Sequence, residues 1–161
     1  MVRSSVKASV RGFTLIELLV TISIMVALLL AAVPLISNWV NSAQTRDSQA
    51  KLLQGFATAK ALALRNPAQV SLPGAAAGLR LVTSGAITTL VVCRGAPASS
   101  DCVPGGASMY WKTDYPASVS TTLSSATPLM LGLDNRGTPL SATGYTLSKG
   151  GSQNDETGFF H

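Results

Sequence analysis

Hydrophobic positions crowd the front of the chain and thin out behind it. From Phe13 to Ile36 the residues are apolar around the whole circumference of a helix, and Glu17 is the lone charge. That pattern predicts a helix surrounded by a nonpolar medium rather than one laid against a single protein face. From Ser37 to Asn66 polar residues enter. Leu53, Phe56, Ala57, Ala61 and Leu64 recur at i, i+3, i+4, i+8 and i+11, which predicts one apolar face for packing on the C-terminal part of the chain. Asp47 and Lys51 make a favourable i, i+4 pair. Gly55 is a weak point, costing about 1 kcal/mol against alanine, and Asn66-Pro67 ends the element. One helix over Phe13–Arg65 is expected, with a kink or local melting at Pro34. A coiled coil is the competing reading, but no heptad is sustained.

After Pro67 the texture changes to Gly, Pro, Ser and Thr with short β-rich runs: Leu79–Thr83, Ile87–Cys93, Ser108–Lys112, Ser118–Leu123, Leu129–Leu133 and Tyr145–Leu147. Turn signals separate them at Ser84-Gly85, Pro104-Gly105-Gly106, Tyr115-Pro116, Asn135-Arg136-Gly137 and Lys149-Gly150-Gly151. Asn154–His161 reads either as a short last strand or as a frayed tail. The fold class is α+β: a long N-terminal transmembrane α-helix packed on a small antiparallel β-sheet domain. The β-rich part is small, so it needs the amphipathic helix to complete its core.

Composition sharpens this picture. Only 12% of residues are charged and 47% are hydrophobic, which excludes disorder over the whole chain. The net charge of +5 is unevenly placed. Residues 1–12 carry +3 from Arg3, Lys7 and Arg11, and residues 37–66 carry +3, whereas 67–161 are neutral. Basicity therefore gives no argument for nucleic-acid binding by the outer domain.

No charge interrupts the 28 residues from Leu18 to Thr45. As a helix this run reaches roughly 42 Å, more than a bilayer core of about 30 Å. The 15 Leu, Ile, Val and Phe residues of Phe13–Ile36 favour insertion by about 5–9 kcal/mol. Glu17 opposes it by at most about 2.5–3.5 kcal/mol, so insertion wins. The basic leader then stays cytoplasmic and the C-terminal part faces outward. A cleaved secretory signal is the rival reading, but the apolar run is too long and Ala31-Ala32-Val33-Pro34 is a poor cleavage site.

Cys93 and Cys102 bracket a Gly-, Pro- and Ser-rich loop. Export would place them in an oxidising compartment, where a disulfide closing ten residues adds about 2.7 kcal/mol. Free thiols or half a metal site are the alternatives, and further Cys or His ligands for a metal are lacking. No catalytic residue, cofactor-binding residue, metal ligand or small-molecule substrate is expected. The single histidine is His161, and Ser-His pairs, HExxH, P-loop and placed GxGxxG motifs are absent. Asp155-Glu156 reads as a solvated acidic pair. Trp111 reads as sheet packing, with base or sugar stacking as the rarer option.

The junction runs Arg11-Gly12-Phe13-Thr14-Leu15-Ile16-Glu17-Leu18-Leu19-Val20. It resembles the type IV prepilin N-terminus, the class III signal of pilins and pseudopilins. The resemblance covers about Arg11 to Ile36. It implies cleavage by a prepilin peptidase between Gly12 and Phe13, N-methylation of Phe13, and retention of the apolar helix as membrane anchor and filament core. Glu17 would then meet the new amine of a neighbouring subunit and fix axial register; snorkelling of its carboxylate to water is the plainer alternative. Asp134-Asn135-Arg136-Gly137 adds a narrower resemblance to minor pilins and pseudopilins of the GspH/FimT type. The implied partners are the prepilin peptidase, other pilin or pseudopilin subunits, an inner-membrane assembly platform and membrane lipid. Some FimT-type pilins bind DNA through a Gly-Arg-x-Arg motif, but Lys149-Gly150-Gly151-Ser152 departs from it, so DNA is not favoured. The division expected is a leader at 1–12, a membrane and filament-core helix at 13–36, an amphipathic stem at 37–66 and a β-rich periplasmic or extracellular domain at 67–161. The location implied is the bacterial inner membrane, crossed once, and a pilus or pseudopilus after assembly.

Overall fold

A computed structural model describes residues 12–124, 129–151 and 155–161, and leaves aside the side chains of residues 33–35. The leader before Gly12 lies outside the described residues. One helix, α1 (Leu15–Arg65), is followed by seven strands: β1 (Ala77–Ser84), β2 (Ile87–Arg94), β3 (Met109–Pro116), β4 (Ser120–Leu123), β5 (Met130–Leu133), β6 (Thr143–Ser148) and β7 (Glu156–Phe160). The chain divides into two compact units, residues 1–37 and 38–161.

In the first unit, the described side chains of α1 are almost all exposed, Leu28, Leu29 and Leu30 each by about two-thirds or more. Thr21 and Ser23 donate to the carbonyls of Leu18 and Leu19 at 2.8 Å. Their hydroxyls are thus satisfied without water, as a helix in lipid requires. The helix continues through Pro34, where a kink or local melting is expected, and the proline's side chain is not among those described.

In the second unit, the helix from Asn38 to Arg65 packs on two antiparallel sheets rather than the single sheet expected. One has the order β3-β2-β1-β5 and the other β4-β6-β7. β1 and β2 form a hairpin around Gly85-Ala86, with Gly85 at φ +59°. The C-terminal segment is a strand, β7, paired with β6. Tyr115-Pro116 is not a turn but the end of β3, an edge strand, where a missing N–H is tolerated. The Tyr115 hydroxyl bonds that of Thr121 at 2.8 Å, and burial pushes its pKa up from the ordinary tyrosine value.

The buried face of the helix is not the one its apolar spacing predicts. Leu53, Ala57, Ala61 and Leu64 are exposed, and of the expected five only Phe56 is partly buried. Thr45, Ser48, Leu52, Gly55, Ala59 and Leu62 face the strands instead, at alternating spacings of three and four. Thr45 and Ser48 are buried without cost in unmade bonds, since their hydroxyls donate to the carbonyls of Asn41 and Gln44. Gly55 is a close-approach position. A Cβ there would fall 2.4 Å from Leu90 Cδ2 and 3.3 Å from Trp111 Cζ3. Trp111 therefore packs in the core, as its place on a strand suggests.

Sheet β4-β6-β7 closes the core from another side. Phe160 stacks on Phe56 at 4.6 Å and on Tyr145 at 5.1 Å between centroids. Lys60 Nζ donates to the His161 carbonyl at 2.9 Å, and Lys149 donates to Gln44. Glu156, read as solvated, pairs with Arg46 at 3.4 Å. Asp47 and Lys51 pair at 2.9 Å as the spacing predicts. The helix ends on Asn66, which takes φ +41°, while its side chain holds Val70 through two hydrogen bonds.

Cys93 and Cys102 are joined in a disulfide, Cα to Cα 5.6 Å. Val91, Cys93 and Cys102 form a small second cluster with Met109, on the β2 face opposite Leu90 and Val92. The loop lies close on β1, because a Cβ on Gly78 would strike Pro97 at 2.6 Å. Arg80 and Arg94 fasten it by donating to the carbonyls of Ser99 and Ala107.

This packing has two measurable consequences. Gly55→Ala gains about 1 kcal/mol of helix propensity but overpacks a site that costs about 1–3 kcal/mol, so the full chain in detergent is expected to melt earlier; a rise in Tm would contradict the close approach. Replacing both cysteines by serine is expected to lower unfolding stability by about 3 kcal/mol, read as an earlier urea midpoint.

Candidate functional site

Chemistry at the front of the chain begins with how the helix starts. Thr14 is the residue before the first helical position, and its Oγ1 accepts the backbone N–H of Glu17 at 3.3 Å. The first full helical bond runs from the Leu18 N–H to the Thr14 carbonyl at 3.2 Å. Thr14 is therefore the N-cap and Glu17 the third helical residue, the T-x-x-E arrangement of a capping box. A carboxylate in this first turn is also favoured by the helix dipole. The helix thus starts two residues later than expected, at Leu15 instead of Phe13. The sequence signal is Thr14 and Glu17 three apart, a pattern masked by Glu17 being the lone charge in an apolar run.

The consequence is local. Gly12 and Phe13 lie outside the helix in irregular backbone, and both are exposed, Phe13 by 84%. A Cβ built on Gly12 meets nothing within 4 Å. The peptide between them is free of helical hydrogen bonding, the state in which a peptidase can take a backbone into its cleft. Glu17 is exposed and makes no ion pair among the described residues. Its N–H holds the cap, while its carboxylate is open to a partner. The structure thus keeps Gly12, Phe13 and Glu17 together at one helix start, with Arg11 just before them outside the described residues.

Cys93 and Cys102 sit far along the chain in the second unit and join no reactive cluster. Among the described residues no group of three or more His, Cys, Asp or Glu side chains is placed to hold a metal. The Asp134 turn is ordered: Asp134 Oδ1 accepts the N–H groups of Arg136 and Thr138, each at 2.9 Å. Its role there is to shape the connection after β5.

Comparison with known proteins adds one finding at this point. Residues 7–33 match the family model described as the prokaryotic N-terminal methylation motif. The match supports a type IV pilin or pseudopilin, a class of structural subunits, and membrane anchoring through the apolar helix. No curated protein and no solved structure matches the chain.

Proposed function

We propose that the chain is a filament subunit, a minor type IV pilin, made as a membrane-anchored precursor and assembled after its leader is removed. The observation that carries this reading is the capped helix start. It leaves the Gly12–Phe13 peptide exposed ahead of a helix whose apolar side chains up to Leu30 have no protein cover. Cleavage there gives Phe13 a positive amine. In a stack of subunits that amine reaches a neighbour's Glu17, and the pair offsets the cost of a carboxylate in apolar surroundings while fixing the step between subunits. The basic leader holds the N-terminus in the cytoplasm, and the second unit lies in the periplasm before assembly. The prepilin peptidase, other pilin subunits and an inner-membrane platform are the partners this requires.

The pseudopilus of type II secretion uses the same kind of helix start and is the alternative placement. The resemblance of Asp134-Asn135-Arg136-Gly137 to the GspH/FimT type spans both machines. Recovery of the chain in sheared surface pili favours the pilus, and loss of protein export on deletion favours the secretion machine. A DNA-binding role is disfavoured because residues 67–161 are neutral and Arg80 and Arg94 are engaged with loop carbonyls.

Mass spectrometry of the membrane-extracted protein is expected to find a methylated N-terminus at Phe13. An intact Met1, or a start beyond Ile36, would refute the reading. Glu17→Ala retains the backbone N–H that holds the cap. It is therefore expected to be cleaved normally and yet to enter filaments poorly; normal incorporation would remove Glu17 from the register role.

A further inference from the structure

The two faces of sheet β4-β6-β7 differ sharply. One face sends Tyr145, Leu147 and Phe160 into the core. The other carries Thr122, Thr146 and Thr157, which are direct cross-strand partners and so form one row over three strands. Adjacent members of the row stand about 4.8 Å apart. None of these three hydroxyls hydrogen-bonds another described side chain or backbone group. Some strand hydroxyls elsewhere are engaged, Thr89 with Asp114, Thr83 with Thr88 and Thr121 with Tyr115, while Thr113 on β3, like the row, makes no such bond among the described residues.

Beside the row lies Phe159, 70% exposed. It is the partner of Gly144 on β6. A Cβ at that glycine would come within 3.2 Å of the Phe159 ring, so the missing side chain leaves the ring its place over the sheet. Ser124 braces the margin by accepting the Gly144 N–H at 2.7 Å. Threonine row and phenyl ring line one open concavity of about 820 Å³, and no Asp, Glu, Lys or Arg lines it.

We propose that this face binds a neutral saccharide chain. Each part answers a feature of such a ligand. A row of unengaged hydroxyls can both donate to and accept from sugar hydroxyls. An exposed aromatic ring takes the C–H face of a pyranose, which is apolar although the sugar's rim is polar. The absence of lining charge leaves no attraction for an anionic polymer and no desolvation penalty against a neutral one. An open trough also suits a polymer that enters sideways. This inference is independent of the filament reading, since the same face exists on the isolated subunit.

The test uses the full chain in a detergent without a sugar headgroup, titrated with neutral hexasaccharides of β-1,4-glucose, α-1,4-glucose and β-1,4-N-acetylglucosamine. Oligogalacturonate serves as the anionic control, and threonine- and leucine-methyl and phenylalanine NMR signals are followed. At least one neutral oligomer is expected to shift Thr122, Thr146, Thr157 and Phe159 and leave Leu90 and Leu131, on the inner side, in place. Phe159→Ala and Thr146→Val are each expected to weaken that binding about tenfold with the core signals unchanged. No shift with any neutral oligomer up to about 10 mM, tighter binding of oligogalacturonate, or affinity indifferent to both substitutions would overturn the proposal.

Discussion

Gly55 lies where a methyl group would run into the Leu90 side chain and crowd Trp111, so α1 seats close on β2. The remainder of residues 38–161 depends on that approach. The sheets have four and three strands, and several strands are short. Sheets of this size do not hold a core alone. They share Leu52, Ala59, Leu62 and Ala63 of the helix, which are essentially fully buried. Small residues at 55, 59 and 63 bring the helix near enough for Leu79, Leu90 and Leu131 to close beneath it. Polar ties then fix the helix ends of the contact: Gln49 to the Tyr145 hydroxyl, Lys60 to the His161 carbonyl, Asn66 to Val70.

The same helix shows a different logic in its first half. There side chains up to Leu30 are large, apolar and uncovered, and the polar residues bond back to their own backbone. Such a surface is unstable in water and well matched to lipid or to other apolar helices. At its start, Thr14 and Glu17 satisfy an orphan N–H that lipid would leave unpaired. One residue thus supplies two separable things: a backbone donor that starts the helix, and a carboxylate that remains available. That separation is why a change of side chain at Glu17 can be read as a change of charge rather than of folding.

Much of this was legible in the chain. The apolar run, the helix stop at Asn66, six of the seven strands and the Cys93–Cys102 pairing follow from period, turn residues and compartment chemistry. The helix face did not. Apolar spacing points to Leu53, Ala57, Ala61 and Leu64, because apolar residues lie on both sides of this helix and the polar Thr45 and Ser48 on the buried side do not register as apolar. The strands instead came close to Thr45, Ser48, Gly55 and Ala59, where smallness matters more than hydropathy. The Gly55 penalty was likewise real as a propensity and misleading as a prediction, since tertiary contact overrides it. The split into two sheets was hidden because pairing partners such as β1 with β5 are far apart in sequence. Glu156 looked solvated because its partner, Arg46, lies on a different element altogether.

The outer faces of the two sheets are treated differently by the fold. β2 is buried on both sides because the disulfide loop, held by Pro97 against Gly78 and by two arginines, covers Val91 and Cys93. A face rich in aliphatic side chains needs that cover, and the covalent link supplies it without a second helix. The face of β6 opposite its core side carries Gly144, Thr146 and Ser148, and it needs no cover. Hydroxyls on a sheet are stable in water, so folding alone accounts for the threonines. It does not account for Phe159, which lies among them at 70% exposure and gains little there from folding of the isolated subunit. A sheet that places its apolar residues inward at Leu147 and Phe160 but outward at Phe159 departs from the alternation that folding by itself would set. Ile87 on β2 and Tyr110 on β3 also point outward at about half exposure, and Phe159 is the most exposed of the three.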